Sequence, residues 1–444
     1  MSLDLVHNLV ARARAAGADA ADAVLISGTS LGVQRRLGRT EQLERSESRD
    51  LGLRVFVGKR SAIVSSTTAD PAGFAQLAER AVAMARIVPE DPFAGLAAEA
   101  RLVPADVFAG LDMDDAQEPD AASLIARASA AEEAALAIPG ITNSEGAEAG
   151  YGRSQIVLVT SAGFAGTYAR TSHSVSATAL AGEGTSMQRD YDYSSTVHLA
   201  DLEDAATIGR VAAEKALARM NPTRPRTAKL PVVYDPRVSS SLLGHLMSAV
   251  NGGSIARGTS FLKDKLGSRI FAPGITVRDD PRRPRGLRSR PFDGEGVPTA
   301  ARDIIEDGIL TTWLLDSRTA RQLGMTTTGH AARGTGGPPS PSPTNLWLQP
   351  GTVTPVELMS DIKEGLYITE MMGSAINGLT GDYSRGATGF MIRDGALAEA
   401  VAEITVAGNL VDMFLAMVPA NDLRFRRGTD APTIRVDGMT LAGS

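Results

Sequence analysis

The chain contains no cysteine. Disulfides are excluded, as is every thiolate metal ligand, and the absence fits a reducing compartment. Histidine is scarce too. The five are His7, His173, His198, His245 and His330, and none has another within five positions, so no single helix face can supply the paired histidines of a local metal motif. No run of about 18 apolar residues occurs, which leaves no segment to span a bilayer as a helix. The opening Met1-Ser-Leu-Asp-Leu-Val-His lacks a basic stretch followed by an apolar one, so no signal peptide is expected and a bacterial cytoplasm is the default location. A net charge of −6, with 45 Lys and Arg spread thinly, provides no basic footprint for nucleic acid or an anionic membrane. There is no Walker loop: the glycines of Gly334-Thr-Gly-Gly-Pro-Pro run into prolines, which have no N–H to offer a phosphate.

What is present describes a globular chain. Its 444 residues suggest two or three domains, and 43% hydrophobic residues can fill sizeable cores. Leu5, Val6, Leu9, Val10 and Ala13 form one helical stripe within residues 3–16, stopped by Gly17. Residues 23–26, 31–37, 51–57 and 61–66 read as strands, the last two joined through Gly58-Lys59, and residues 71–86 as an amphipathic helix. A stretch rich in Pro, Asp and Ala at about 87–120 marks a sub-boundary. Helices follow at 121–137, with Asp120 or Ser123 near the N-cap, and at 202–220, around alternating strands at 155–160 and 174–180. No internal repeat stands out.

Asn221-Pro-Thr-Arg-Pro-Arg-Thr is the strongest break, because two prolines within four residues end a helix and hold the chain extended. It divides an N-terminal α+β domain, 1–222, from a C-terminal domain, 227–444. The second half carries a clear helix at 236–250, a further one at 355–364, and strands at 229–234, 304–315, 365–371, 389–404 and 433–441. Asp307-Gly308 and Asp394-Gly395 signal hairpins. The fold class is α+β: an N-terminal α/β layered region, then a largely antiparallel, β-rich C-terminal domain with few helices.

Four stretches invite a chemical reading. Gly28-Thr-Ser-Leu-Gly spells a nucleophile-elbow string, but it joins two strands and not a strand to a helix, so a glycine-rich turn is expected. Asp293, Glu295 and Asp303 place three carboxylates within eleven residues, as a cation site, an acid/base pair or a polar turn. Gly381-Asp-Tyr-Ser-Arg-Gly suits a binding loop, or a structural turn with an Asp–Arg pair. The low-complexity segment 333–344 is expected to be a flexible surface loop.

Longer motifs add a resemblance. Ser239-Ser-Ser-Leu-Leu-Gly-His-Leu-Met-Ser-Ala-Val-Asn-Gly-Gly, Ser260-Phe-Leu-Lys-Asp-Lys-Leu-Gly, Pro291-Phe-Asp-Gly-Glu-Gly-Val, Arg302-Asp-Ile-Ile-Glu-Asp-Gly, Gly381-Asp-Tyr-Ser-Arg-Gly-Ala and Val401-Ala-Glu-Ile-Thr-Val-Ala-Gly-Asn-Leu occur in that order. Together they closely resemble the TldD/PmbA family and, within it, the PmbA (TldE) branch. Arg39-Thr-Glu-Gln-Leu-Glu-Arg-Ser-Glu-Ser-Arg-Asp extends the likeness, more loosely, to the N-terminal half. The segment after His330 departs from the pattern.

The resemblance implies a two-subunit protease. TldD-type subunits carry His-Glu-x-x-x-His on a helix and hold zinc with its histidines and a cysteine, while TldE-type partners complete a chamber for unfolded peptides. With His245 taken as the first ligand, Leu246 replaces the glutamate and Val250 the second histidine. In the neighbouring register Gly244, His245 and Ala249 stand at those three positions. Neither holds zinc, so no cofactor is expected in this chain and zinc is expected in a TldD-type partner. The implied role is that of a non-catalytic subunit, with peptide substrates and a possible homodimer. His245, Asn251, His330, Asp382, Tyr383 and Arg385 are the candidates for peptide contact or chamber lining; for His245 the alternative is a helix residue bonded internally. Two other readings stay open: a self-standing hydrolase built from His245, His330, Asp293 and Glu295, and a homo-oligomeric peptide-binding protein.

Overall fold

The structure, a computed structural model, describes residues 2–443. Its first half uses one arrangement twice. Helix α1 (Ser2–Ala15) leads into β1 (Ala20–Arg36), β2 (Arg39–Val57) and β3 (Arg60–Ser66) and ends in α2 (Phe74–Ile87). After a connector containing α3 (Ala105–Leu111), α4 (Ala121–Leu136) leads into β4 (Ile141–Thr160), β5 (Ala165–Ala181) and β6 (Gln188–Thr196) and ends in α5 (Ala205–Ala218). The strands form one antiparallel sheet in the order β3-β2-β1-β4-β5-β6, and the two copies meet where β1 pairs with β4. The repeat escaped the sequence because a helix needs only its apolar stripe and a strand only its alternation; neither preserves residue identity.

Each copy lays its helices on the sheet. Val6, Leu9, Val10 and Ala13 of α1 and Phe74, Ala78, Ala81 and Val82 of α2 bury against Leu51, Leu53, Val55 and Val157. In the second copy, alanines of α4 and α5 pack with Ile208 on Val175, Ala177 and Ala179. These two helices approach so closely that a Cβ at Gly209 would stand 1.8 Å from the Ala131 carbonyl oxygen.

The expected strands at 23–26 and 31–37 are one strand. Gly28-Thr-Ser-Leu-Gly is therefore no turn: Gly28 pairs with Ser48 and Ser154, and Gly32 with Glu44 and Gly150, so ladders on both sides keep the chain extended. Strand β2 runs far beyond its apolar end, and residues 39–49 of it are exposed.

The second half begins with β7 (Ala228–Tyr234), α6 (Pro236–Ala249) and α7 (Gly252–Ala256). An irregular region follows, with β8 (Val277–Asp279), β9 (Arg302–Glu306), β10 (Ile309–Leu310), α8 (Ser317–Leu323), β11 (Ala331–Ala332), β12 (Ser340–Pro341), β13 (Leu346–Leu348) and α9 (Pro355–Met359). The chain ends with β14 (Glu364–Ile376), β15 (Asp382–Arg393), β16 (Ala396–Asn409), α10 (Leu410–Leu415), β17 (Met417–Pro419), β18 (Thr429–Asp430) and β19 (Ile434–Ala442). The main sheet has the order β16-β15-β14-β7-β19-β17. It is antiparallel except at β14–β7, and β16 also pairs with β19, which closes the ring of strands around the largest core. The class is α+β, layered first and β-rich second. Asp307-Gly308 and Asp394-Gly395 turn their hairpins at positive φ, as Asp-Gly pairs do. The strand expected at 304–315 stops at Leu310, and the helix expected at 355–364 is only Pro355–Met359. Among the described residues no helix is long and apolar enough to cross a membrane.

Buried charges join the halves. Asp22 of β1 accepts from Arg54 of β2 and from Arg333, and Arg54 also reaches Glu295 at 3.6 Å. At the other end, Asp190 of β6 pairs with Arg219 at 2.9 Å and Arg237 at 2.6 Å. The segment 333–344 lies at the surface, with Gly334, Gly336, Pro338 and Ser340 exposed, but it is held at several points. The Arg333 side chain is buried on Asp22, the Thr335 backbone lies on Gly52, and Pro341 pairs with Ala331. An ion pair and a missing side chain opposite it draw a Pro/Gly segment into the contact, which composition does not register.

Candidate functional site

Helix α6 starts where Asp235 accepts from the Arg237 amide at 2.8 Å with Pro236 in the first turn, a strong N-terminal signal. Its apolar stripe, Val238, Leu242, Leu243, Leu246 and Met247, is buried, while Gly244 and Ser248 face solvent. His245 lies between these faces, half-buried. Its ring meets Tyr383 of β15 edge-on, with centroids 5.9 Å apart.

Tyr383 and Arg385 are two apart on β15 and so share a face, and Tyr234, the last residue of β7, lies beside them. The Tyr383 hydroxyl is 3.4 Å from Met371 Sδ, whereas the buried Tyr234 hydroxyl has no hydrogen-bond partner. Burial pushes the Tyr383 phenol up to about 12 and Tyr234 well above its usual range. It lowers His245 to about 4, with the nearby Arg385 charge adding to the effect, so the imidazole is neutral at pH 7. Nε of Arg385 is buried without a partner, and so is Nε2 of His245.

The structure thus brings together three of the six candidates. Gly381-Asp-Tyr-Ser-Arg-Gly is the start of a strand and not a loop, so Asp382 points away from Arg385 and cannot pair with it. Its carboxylate is exposed and bonds Thr380 and Asn409. Asn251 caps α7 and donates to the Pro341 carbonyl at 2.8 Å, at the edge of a 510 Å³ cleft between the two halves. His330 is buried, with Nδ1 2.9 Å from Thr328 Oγ1 and Nε2 3.1 Å from Asp279.

The alternative hydrolase set is scattered as well. Asp293 and Glu295 lie in a buried segment, not in an exposed turn. Asp293 takes the amides of Glu295, Val297 and Ala331, and Glu295 takes the amide and hydroxyl of Ser317. Burial, with Glu295 nearby, raises Asp293 to about 7. Asp303 stands apart, 3.7 Å from Arg278. Among the described residues, no hydrogen bond or ring contact joins His245 to Asp293 or His330. Tyr234 was missed from the sequence, where it is only the last apolar position of a strand.

A zinc ion does not fit α6. Gly244 and Ala249 have no ligating atoms, Leu246 and Val250 are apolar and fully buried, and among the described residues no three His, Asp or Glu side chains converge as a metal would require.

These features define a two-half α+β protein with an amphipathic helix, α6, packed on its C-terminal sheet. Residues 21–85, 114–220 and 227–443 match PmbA/TldA metallopeptidase domain 1, the central domain and the C-terminal domain. The chain belongs to the PmbA/TldD metallopeptidase family. It is 37% identical over 428 residues to Metalloprotease PmbA of Escherichia coli O157:H7, covering 96% of this chain and 92% of that one. It is 33% identical to a PmbA homolog of Haemophilus influenzae, covering 97% and 93%. A crystal structure from Bacteroides thetaiotaomicron, described as a candidate modulator of DNA gyrase, superposes with a TM-score of 0.90 at 26% identity, covering 99% and 98%. TldE from Thermococcus kodakarensis shares the fold, with a TM-score of 0.87 at 19% identity over 99% and 100% of the two chains.

Proposed function

We propose that this chain is the non-catalytic subunit of a cytoplasmic TldD/TldE-type peptidase, pairing with a zinc-bearing TldD-type subunit to process or degrade small unfolded peptides. One observation carries the reading: the helix at the metal position presents Gly244, Leu246, Ala249 and Val250 where ligands and base would stand. With no ligand there is no metal to lower the pKa of a bound water, so hydrolysis falls to the partner. This chain's part is to shape the chamber and hold peptide. The outer edge of β2 supports that role, because β3 pairs only from Leu51 onward and leaves residues 39–50 open to strand addition.

Co-purification with the TldD-type paralogue, then peptide cleavage with and without chelator, tests the proposal. A stable complex, with chelator-sensitive cleavage only when both chains are present, is the expected result. Chelator-sensitive cleavage by this chain alone, or stoichiometric zinc in it, overturns the proposal. Self-association with no affinity for the paralogue points to the homo-oligomeric binding protein instead.

A further inference from the structure

We propose that Arg385, His245, Tyr234 and Tyr383 form a carboxylate-binding site that takes the anionic group of an extended peptide. The inference deepens the subunit reading, since it assumes that this chain holds peptides.

A guanidinium has five N–H groups and accepts nothing. Arg385 makes no hydrogen bond or ion pair among the described residues, and its Nε is buried. In the same molecule Arg54, Arg219, Arg237 and Arg333 each meet a carboxylate and Arg321 meets backbone carbonyls, whereas Arg385 meets neither. The Tyr234 hydroxyl is fully buried beside the Tyr383 phenol without a hydrogen bond of good geometry, and the neutral His245 imidazole has an unpartnered Nε2. The field of Arg385 reaches all three rings. The nearest sequence carboxylate, Asp382, lies on the opposite face of the strand with partners of its own.

Leaving such polar atoms without partners costs free energy, and a carboxylate satisfies several of them at once through charge-assisted bonds. Access is available, because His245 and Arg385 are both half-exposed. A peptide offers the carboxylate from its C-terminus or from an acidic side chain.

The test uses three N-acetylated peptides of one length: one with a free C-terminus, its C-terminal amide, and an amide with an internal glutamate. Affinity is measured by calorimetry on the full chain, alone and in complex with the paralogue, while NMR follows the His245 ring. At least one carboxylate peptide is expected to bind about tenfold or more tighter than the plain amide. Arg385→Gln should abolish that difference, and the His245 pKa should rise on binding as the carboxylate offsets Arg385. Whichever carboxylate peptide binds identifies the source. Tyr234→Phe, which removes one oxygen, is expected to reduce the preference and serves if Arg385→Gln does not fold. Equal affinity for all three peptides, or a preference that survives both substitutions, overturns the site. A complex that forms and cleaves without this preference sinks only the present inference; a preference that persists in a chain with no affinity for the paralogue sinks only the subunit reading.

Discussion

The two copies in the N-terminal sheet treat the same liability differently. In each, the third strand is too short to cover the second, leaving a bare strand edge. In the second copy, β6 pairs only from His173, and the connector covers the preceding edge: the Thr171 amide donates to the Met113 carbonyl at 2.9 Å, and Asp114 holds Arg153 at 2.7 Å. In the first copy, residues 39–50 have no cover, only alternating charge: Arg39, Glu41, Glu44, Arg45, Glu47, Arg49 and Asp50. Burial and charge are both known protections for an edge, but only the charged one remains available to a partner. The repeat's symmetry is therefore broken where function would need it.

The copies also differ in how firmly they are fastened to the C-terminal half. Among the described residues Asp22 is the only acid meeting Arg333, so Asp22→Ala buries an unpaired charge and should cost about 3–5 kcal/mol, read from denaturant unfolding. Asp190→Ala should cost roughly half as much, because Arg219 retains Glu370 and Arg237 retains Asp235. Equal losses would mean that the two attachments are equivalent.

The contrast extends to pH. Burial raises the Asp22 carboxyl, but Arg333 and Arg54 outweigh it and hold it below its usual value of 3.8, so its contribution is present above that pH and is lost as pH falls through the folded value. Asp293 has the opposite sign. With a folded pKa of about 7, its ionisation works against the fold as pH rises from 3.8 towards 7, and above 7 the penalty is constant. Asp293→Ala should therefore destabilise by about 2 kcal/mol at pH 5, through three backbone amides left unpaired, and by less at pH 8. A loss that does not shrink with pH would contradict the raised pKa.

Smaller effects concern the segment between the halves and the edge itself. A Cβ at Gly52 would stand 2.3 Å from the Thr335 carbonyl oxygen, so Gly52→Val should displace residues 333–337, with about 1–2 kcal/mol of destabilisation and new proteolysis there. The exposed pair between Arg45 and Glu118, at 3.5 Å, links the bare edge to the connector. Glu118→Ala should change stability by less than about 0.5 kcal/mol, and a larger effect would show that the edge is fastened after all.

Local signals served where local physics decides. Asp120 caps the helix its position suggests, the stripe of α1 is buried as its spacing requires, and both Asp-Gly pairs turn hairpins. They failed where a neighbour decides. Gly28 and Gly32 look like a turn until strands on both sides hold them extended, and Asp382-Tyr-Ser-Arg looks like a loop until β14 and β16 pair with it. Of the candidate site, His245, Tyr383 and Arg385 were legible as polar residues in family-like motifs. Tyr234 was not, since what marks it is a missing hydrogen-bond partner.

By itself, the sequence determined the class, the cap at Asp120 and the hairpin turns, because each depends on residue type within a few positions. Only the tertiary structure decided that two unlike stretches form one repeated layer, that a Pro/Gly segment is pinned between the halves, and that Arg385 is left without an acid. Those depend on which distant groups exclude water from one another, and a buried charge or hydroxyl is defined by its neighbours more than by its own identity.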